Sequence, residues 1–155
     1  MRALVEKLSI NPNRIDLDEA YLQMAEIWAK RSKANRKQVG ALLVKDKQII
    51  SDGYNGMPAG DKDEVCEYID ESGNLVTRPE LMHAESNALM KLAENGGLGA
   101  QDATMYLTMS PCLPCAKLMK QAKIKRVVFR ERYRETDGIE FLTSRGVEVV
   151  QLESK

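Results

Sequence analysis

Two short motifs contain the side chains that could bind a metal ion. The first is His83-Ala84-Glu85, and the second, Pro111-Cys112-Leu113-Pro114-Cys115, brings its first cysteine 29 positions after the histidine. His83 is the only histidine of the chain, and Cys112 and Cys115 are two of its three cysteines. One imidazole and two thiolates leave the fourth position of a tetrahedral zinc ion open, as in catalytic zinc sites. We therefore expect one catalytic Zn²⁺ per chain, bound by His83, Cys112 and Cys115.

Glu85 could move protons beside such an ion. Zinc lowers the pKa of a bound water to about 7. Hydrolysis by that hydroxide then needs a proton carried from water to the substrate and on to the leaving group, and a single carboxylate can do both. Residues two apart in a helix point in different directions, so the helix end must bring His83 and Glu85 together. The alternatives are an ordinary acidic residue at Glu85 and a redox-active Cys-x-x-Cys pair.

Composition limits the function classes. The chain has 155 residues, which predicts one domain over residues 1–155. Its formal net charge is zero, which disfavours a partner that is a nucleic acid polymer. Three cysteines without a disulfide pattern fit a reducing compartment, and we expect a cytoplasmic protein. No apolar run approaches the roughly 20 residues of a membrane span, and we expect no signal peptide.

The elements that must position these residues follow from apolar periodicity. We predict helices near residues 16–32, 83–95, 112–122 and 139–146, with Asp16 and Glu19 forming a capping box on the first. Strands are predicted at residues 39–44, 48–54, 104–108, 126–129 and 147–152, and residues 61–79 are predicted to be irregular. The first two strands would form an antiparallel hairpin, and the alternation of helices and strands after it predicts a mixed sheet covered on both faces. The fold class is α/β, a three-layer α/β/α sandwich with a central mixed five-stranded sheet.

Both metal-type motifs stand where a helix begins. Cys112 and Cys115 are about one helical turn apart, and the positive end of the helix dipole favours their thiolate forms. If the helices at 83–95 and 112–122 start at the same sheet edge, the three ligands meet there.

The two motifs together resemble the cytidine deaminase superfamily: His83-Ala84-Glu85-Ser86-Asn87-Ala88 and Ser110-Pro111-Cys112-Leu113-Pro114-Cys115. Three further segments, residues 31–33, 38–41 and 53–60, resemble the deoxycytidylate (dCMP) deaminases, including those of large bacteriophages. The resemblance runs from about Ala20 to the C-terminus, and for a phage-encoded protein it implies the host cytoplasm as the location. It implies zinc-dependent hydrolysis of dCMP to dUMP and ammonia, a step that supplies thymidylate synthesis.

The resemblance also implies a set of substrate contacts. Asn55 would hold the sugar hydroxyl, and the Ser110 carbonyl would accept from the exocyclic amine. The 5′-phosphate would lie near the 32–36 loop and the Tyr133-Arg134 pair, which provide Ser32, Lys33, Asn35, Arg36, Tyr133 and Arg134. The alternative for Lys33, Arg36 and Arg134 is solvated surface charge, and for Asn55 it is a turn residue.

Regulation is implied in the same way. Members of this family are commonly hexamers that dCTP activates and dTTP inhibits, with Mg²⁺ on the triphosphate. The effector would lie near Gly53, Tyr54, Gly56 and Asn87. Two other functions share parts of the pattern: a polynucleotide deaminase of the tRNA adenosine type, which needs a basic groove, and a non-catalytic zinc-stabilised binding module, for which Cys66 is a candidate fourth ligand.

Overall fold

The computed structural model describes residues 7–96 and 99–154. The prediction of one domain over residues 1–155 therefore extends beyond the described residues at both ends. The helices are α1 (Leu17–Ala29), α2 (Ala84–Glu94), α3 (Leu113–Gln121) and α4 (Asp137–Ser144). The strands are β1 (Gly40–Lys45), β2 (Gln48–Tyr54), β3 (Glu67–Ile69), β4 (Leu75–Thr77), β5 (Thr104–Met109), β6 (Arg126–Glu131) and β7 (Glu148–Gln151).

Five strands form one mixed sheet in the order β2-β1-β5-β6-β7. Strand β1 pairs antiparallel with both β2 and β5, whereas β5, β6 and β7 run parallel. Strands β5, β6 and β7 are parallel because the helices that connect them, α3 and α4, return the chain to the same edge of the sheet before the next strand begins. The predicted mixed five-stranded sheet is confirmed.

The sheet is covered on both faces, because side chains alternate along each buried strand. One face, with Leu43, Leu107 and Phe129, packs against α2, α3 and α4. The other face, with Leu42, Tyr106 and Val128, packs against α1 through its buried residues Tyr21, Leu22 and Ala25. These two cores give the three-layer α/β/α sandwich that the sequence predicts.

Gly53 sets the distance between α2 and the sheet. A Cβ added to Gly53 would lie 2.5 Å from the Ala84 carbonyl oxygen and 2.8 Å from the Ala88 backbone nitrogen. No larger residue fits without displacing the helix. The start of α2, and with it His83 and Glu85, is therefore held directly against β2.

Two expectations about local structure are wrong. The segment 61–79 contains the antiparallel pair β3–β4, hereafter the small hairpin, whose turn is fixed by Asp70 Oδ1 accepting from the backbone N–H groups of Ser72 and Asn74. Strands of three residues are too short to show a periodicity. At the start of α1, Asp16 takes the N-cap position, but its side chain makes no capping hydrogen bond. None of the helices in the described ranges has the length and apolar composition needed to cross a bilayer.

Candidate active site

The two metal-type motifs meet at one point. His83 is the N-cap residue of α2 and Cys112 is the N-cap residue of α3, with Cys115 in the first turn of α3. The Nδ1 atom of His83 lies 3.4 Å from Cys112 Sγ and 3.3 Å from Cys115 Sγ. With a carboxylate oxygen of Glu85, these ligand atoms all lie within 4.8 Å of one another. The two helices start at the same edge of the sheet, as the sequence analysis requires.

The helix end brings His83 and Glu85 to the same point. His83 has extended backbone angles (φ −81, ψ 155), so it stands outside the helix while Glu85 lies in the first turn. The angular separation of neighbours in a regular helix therefore does not apply to this pair. The Glu85 side chain is buried, with 5% of the residue exposed.

Burial and hydrogen bonding shift the protonation of these groups. The pKa of Cys112 lies well below its usual range, chiefly because its sulfur accepts a hydrogen bond from the Cys115 thiol and also lies against His83. The same shared proton, together with burial, raises the pKa of Cys115. Burial raises the pKa of the Glu85 carboxyl, which favours its protonated form. These shifts favour the thiolate form of Cys112 and the thiol form of Cys115.

The donor set fits a zinc ion. A tetrahedral zinc with ordinary bond lengths holds its nitrogen and sulfur ligands about 3.6 Å apart. The two observed nitrogen–sulfur distances, 3.4 and 3.3 Å, are within a few tenths of this separation. Cys66 is buried elsewhere and is not a member of the cluster. The arrangement therefore offers three soft donors and a separate carboxylate.

A cavity of about 450 Å³ opens above the cluster. Its lining includes five of the residues predicted to bind substrate, namely Arg36, Asn55, Ser110, Tyr133 and Arg134, together with His83, Glu85 and Cys112. The remaining lining residues are Ala34, Lys37, Val39, Thr77, Leu81, Ala84 and Met109. Cationic side chains thus share one cavity with the metal-type cluster.

Three other residues of the predicted substrate set stabilise the loop instead of lining the cavity. The buried Ser32 hydroxyl donates to the Asn55 carbonyl oxygen at 2.8 Å. Lys33 forms an exposed ion pair with Glu64. The backbone N–H of Asn35 donates to the Glu67 carboxylate at 2.7 Å. A cluster of polar residues in sequence does not reveal which of them turn inward.

Asn55 has both a structural role and a place on the cavity wall. Its Oδ1 accepts from the Val39 backbone N–H at 2.9 Å, and its Nδ2 donates to the Lys37 carbonyl at 2.8 Å. The amide fixes the entry to β1. An amide group has one further lone pair and one further N–H, so these bonds leave it able to meet a ligand.

Ser110 joins β5 to the segment after β6. Its hydroxyl accepts from the Tyr133 backbone N–H at 2.7 Å, and its backbone N–H donates to the Glu131 carbonyl at 2.8 Å. These bonds hold Tyr133 and Arg134 at the cavity wall. Sequence reasoning missed Lys37, whose Nζ lies 2.6 Å from Glu131 Oε2, and it missed Thr77 and Leu81. The position of Lys37 beside the predicted loop was the available signal.

The residues predicted to bind an effector lie on β2, just after it and on α2, and none of them lines the cavity. Asn87 Nδ2 donates to the Tyr54 carbonyl at 2.8 Å, and Tyr54 packs edge-on against Trp28. Gly56 exchanges two backbone hydrogen bonds with Met82. Gly53 has the packing role described above. Through these contacts, each of the four residues helps to stabilise the fold.

The family follows from comparison with known proteins. Residues 15–131 match the model of the cytidine and deoxycytidylate deaminase zinc-binding region. The fold is that of a cytidine deaminase-like α/β protein, and the matched segment contains the whole His/Glu/Cys/Cys cluster. The chain belongs to the cytidine and deoxycytidylate deaminase family.

Individual relatives agree with this assignment. The deoxycytidylate deaminase of Enterobacteria phage T4 is 32% identical over 173 residues, covering 86% of this chain and 89% of that protein. The Homo sapiens deoxycytidylate deaminase is 37% identical over 127 residues, covering 79% of this chain and 70% of its own length. The dCMP deaminase of cyanophage S-TIM5, solved with dCMP and dUMP, superimposes with a TM-score of 0.81 at 38% identity, covering 93% of this chain and 100% of that one.

Proposed function

We propose that this protein hydrolyses dCMP to dUMP and ammonia. One observation carries the proposal: the ligand atoms of His83, Cys112, Cys115 and Glu85 lie within 4.8 Å of one another beside a cavity that Arg36 and Arg134 also line. A nucleoside monophosphate has its reactive base and its dianionic phosphate at opposite ends, so it matches a cavity with both features. The similarity to dCMP deaminases of phages supports cytosine as the base.

His83 Nδ1, Cys112 Sγ and Cys115 Sγ would hold Zn²⁺. Bound zinc supplies Lewis acidity, which makes hydroxide available from water at neutral pH. These three donors would hold the ion where His83 and Cys112 line the cavity. The start of α3 favours the thiolate form of Cys112, and the ion would displace the proton of Cys115, whose pKa is raised.

Glu85 would be the proton carrier. Its carboxyl is buried beside the sulfur atoms, and burial raises its pKa. A carboxyl group with a raised pKa can accept a proton from water, deliver it to the ring nitrogen and then protonate the leaving ammonia. No other carboxylate belongs to the described metal-type cluster.

The rest of the cavity would orient the nucleotide. Asn55 would hold the sugar hydroxyl and the Ser110 carbonyl would accept from the exocyclic amine. Arg36, Tyr133 and Arg134 would face the 5′-phosphate, because guanidinium groups match phosphate oxygens in charge and geometry. Ser32, Lys33 and Asn35 would act indirectly by fixing the loop that carries Arg36.

An ammonia-release assay with dCMP, CMP, deoxycytidine and dAMP tests this function. We expect dCMP to be turned over, and we expect deoxycytidine to be a much poorer substrate because it lacks the phosphate. Zinc content is measured on the same preparation. Equal kcat/KM for dCMP and deoxycytidine, or selective turnover of dAMP, would contradict the proposal.

We further infer that the enzyme supplies dUMP for thymidylate synthesis in the cytoplasm, and that dCTP activates and dTTP inhibits it as a homohexamer, with Mg²⁺ on the triphosphate. Support comes from the resemblance of residues 53–60 to the regulated family members and from the connected group formed by Tyr54, Asn87 and Trp28. Assays with each triphosphate and Mg²⁺, together with sedimentation, test this inference. Rates that neither triphosphate changes, or a sedimentation mass below that of a hexamer, would contradict it.

A further inference from the structure

The small hairpin holds one arginine of the cavity at two points. Glu67 on β3 and Thr77 on β4 are direct cross-strand partners, so their side chains lie on the same face of the hairpin. Glu67 Oε2 accepts the backbone N–H of Arg36 at 3.0 Å. Thr77 Oγ1 accepts from the Arg36 guanidinium at 3.1 Å. A single pair of hairpin residues thus fixes both the backbone and the side chain of Arg36.

Glu67 is placed unusually for a carboxylate. Only 6% of the residue is exposed, and none of the ion pairs found among residues 7–96 and 99–154 includes it. Its partners are the consecutive backbone N–H groups of Asn35 and Arg36, with the Asn35 amide at 3.5 Å. A buried carboxylate is costly without strong hydrogen bonds, so this bond set fixes the loop tightly.

The guanidinium of Arg36 is exposed, in contrast to the buried Glu67 carboxylate. A long cationic side chain loses considerable rotamer entropy when a ligand immobilises it. The loop that carries Arg36 and the Thr77 hydroxyl hold the side chain before a ligand binds, so less rotamer entropy is lost on binding. Thr77 itself lines the cavity, so the guanidinium it holds lies at the cavity wall.

We propose that Glu67 and Thr77 are positioning residues that hold Arg36 for the 5′-phosphate and thereby select nucleotides over nucleosides. This proposal rests on the proposed function, since it assigns the phosphate end of the same cavity. The small hairpin is then a part of the substrate site, although it contributes nothing to the metal-type cluster at the other end. Its effect should appear only with substrates that carry a phosphate.

The test uses Glu67→Gln and Thr77→Val in the full chain, with zinc bound. Gln keeps the shape of Glu67 but replaces an acceptor with an N–H group that faces the loop. Thr77→Val keeps the shape and removes the acceptor for the guanidinium. We expect Glu67→Gln to raise the KM for dCMP about tenfold with kcat changed less than about twofold, and Thr77→Val to raise it by a smaller factor. The kcat/KM for deoxycytidine should not change in either variant.

Asp63→Asn is the matched control, because it removes another charge of the same segment, one that pairs with Arg78 and not with the loop. Its kinetics on both substrates should match the wild type. If Glu67→Gln lowers kcat/KM equally for dCMP and deoxycytidine, Glu67 is merely structural and the proposal fails. If Glu67→Gln does not fold, as thermal melting would show, the Thr77→Val result decides: unchanged dCMP kinetics overturn the proposal. Wild-type protein that does not turn over dCMP would instead refute the proposed function.

Discussion

The backbone of Gly138 lies directly against the backbone of Pro111. A Cβ built on Gly138 would lie 2.2 Å from the Pro111 carbonyl oxygen and 2.9 Å from the Cys112 carbonyl carbon. Gly138 is in the first turn of α4, and Pro111 leads into the cysteine pair. The start of α4 therefore supports the peptide that places Cys112, and only a residue without a side chain allows the contact.

Gly138→Ala should displace that peptide. A methyl group this close to backbone cannot be accommodated by a side-chain rotation, and overpacking of this kind costs about 1–3 kcal/mol of stability. Because the displaced atoms belong to the backbone of Pro111 and Cys112, we expect weaker zinc retention as well as a lower melting temperature. Competition with a chelator measures the first effect and calorimetry the second.

Gly99→Ala is the control for this substitution, since a Cβ at Gly99 would meet nothing within 4 Å. It should retain zinc and melt like the wild type. Full zinc retention by Gly138→Ala would show that the loop before α3 can shift without affecting the ligands.

Glu85→Gln separates proton transfer from metal binding. The amide keeps the size of the buried side chain but cannot carry a proton, and general acid–base catalysis typically contributes a hundredfold to ten-thousandfold. We expect kcat to fall by about that factor while zinc content, measured by elemental analysis, stays at one ion per chain. Substantial remaining turnover, above about a tenth of wild type, would refute the role of Glu85.

The sequence predicts the parts of this molecule that follow from rare residues and strong periodicity. The His83, Cys112 and Cys115 set stands out because these residue types are scarce in the chain, and the buried strands show as apolar runs. The start of α3 is predicted as well, because each cysteine directly follows a proline and proline is tolerated in the first turn of a helix. These features are sufficient to predict the sheet and the cluster.

The loop contacts could not be predicted in the same way. Lys33 and Arg36 look alike as cations in one polar stretch, but only Arg36 lines the cavity, because Lys33 pairs with Glu64. Arg36 is held by the small hairpin, whose three-residue strands leave no sequence signal, and Glu64 lies just before that hairpin. The residues that determine which loop side chains reach the cavity lie about thirty positions away in sequence, as Glu67 does from Asn35.

Cys115→Ala tests the ligand assignment through folding. Metal binding to a folded site contributes to stability, so losing one thiolate should lower both zinc content and the melting temperature. Cys66→Ala is the matched control, since it removes the third cysteine, which is buried outside the cluster. It should keep one zinc. Loss of zinc from Cys66→Ala together with full zinc in Cys115→Ala would contradict the assignment and favour a different ligand set.

The acid stability of the fold should depend on Asp18, which joins α1 to the sheet. Its carboxylate accepts from Arg126 at 2.8 and 2.6 Å and from the Tyr106 hydroxyl at 2.6 Å. The Arg126 hydrogen bonds lower the pKa of Asp18 below the ordinary value of 3.8. A depressed pKa means that this stabilisation is fully present above the unfolded-state pKa and is lost as pH falls through the folded-state pKa.

Asp18→Asn should therefore lower the free energy of unfolding at pH 7 by about 1–3 kcal/mol, because hydrogen bonds to a charged group are lost. The difference from wild type should shrink as the pH falls below about 4, where the wild-type carboxyl also becomes protonated. Urea unfolding at pH 7, 5, 4 and 3 measures this. Glu135→Gln removes one exposed negative charge and serves as the control. A constant difference between Asp18→Asn and wild type across this pH range would show that shape, and not charge, is what Asp18 contributes.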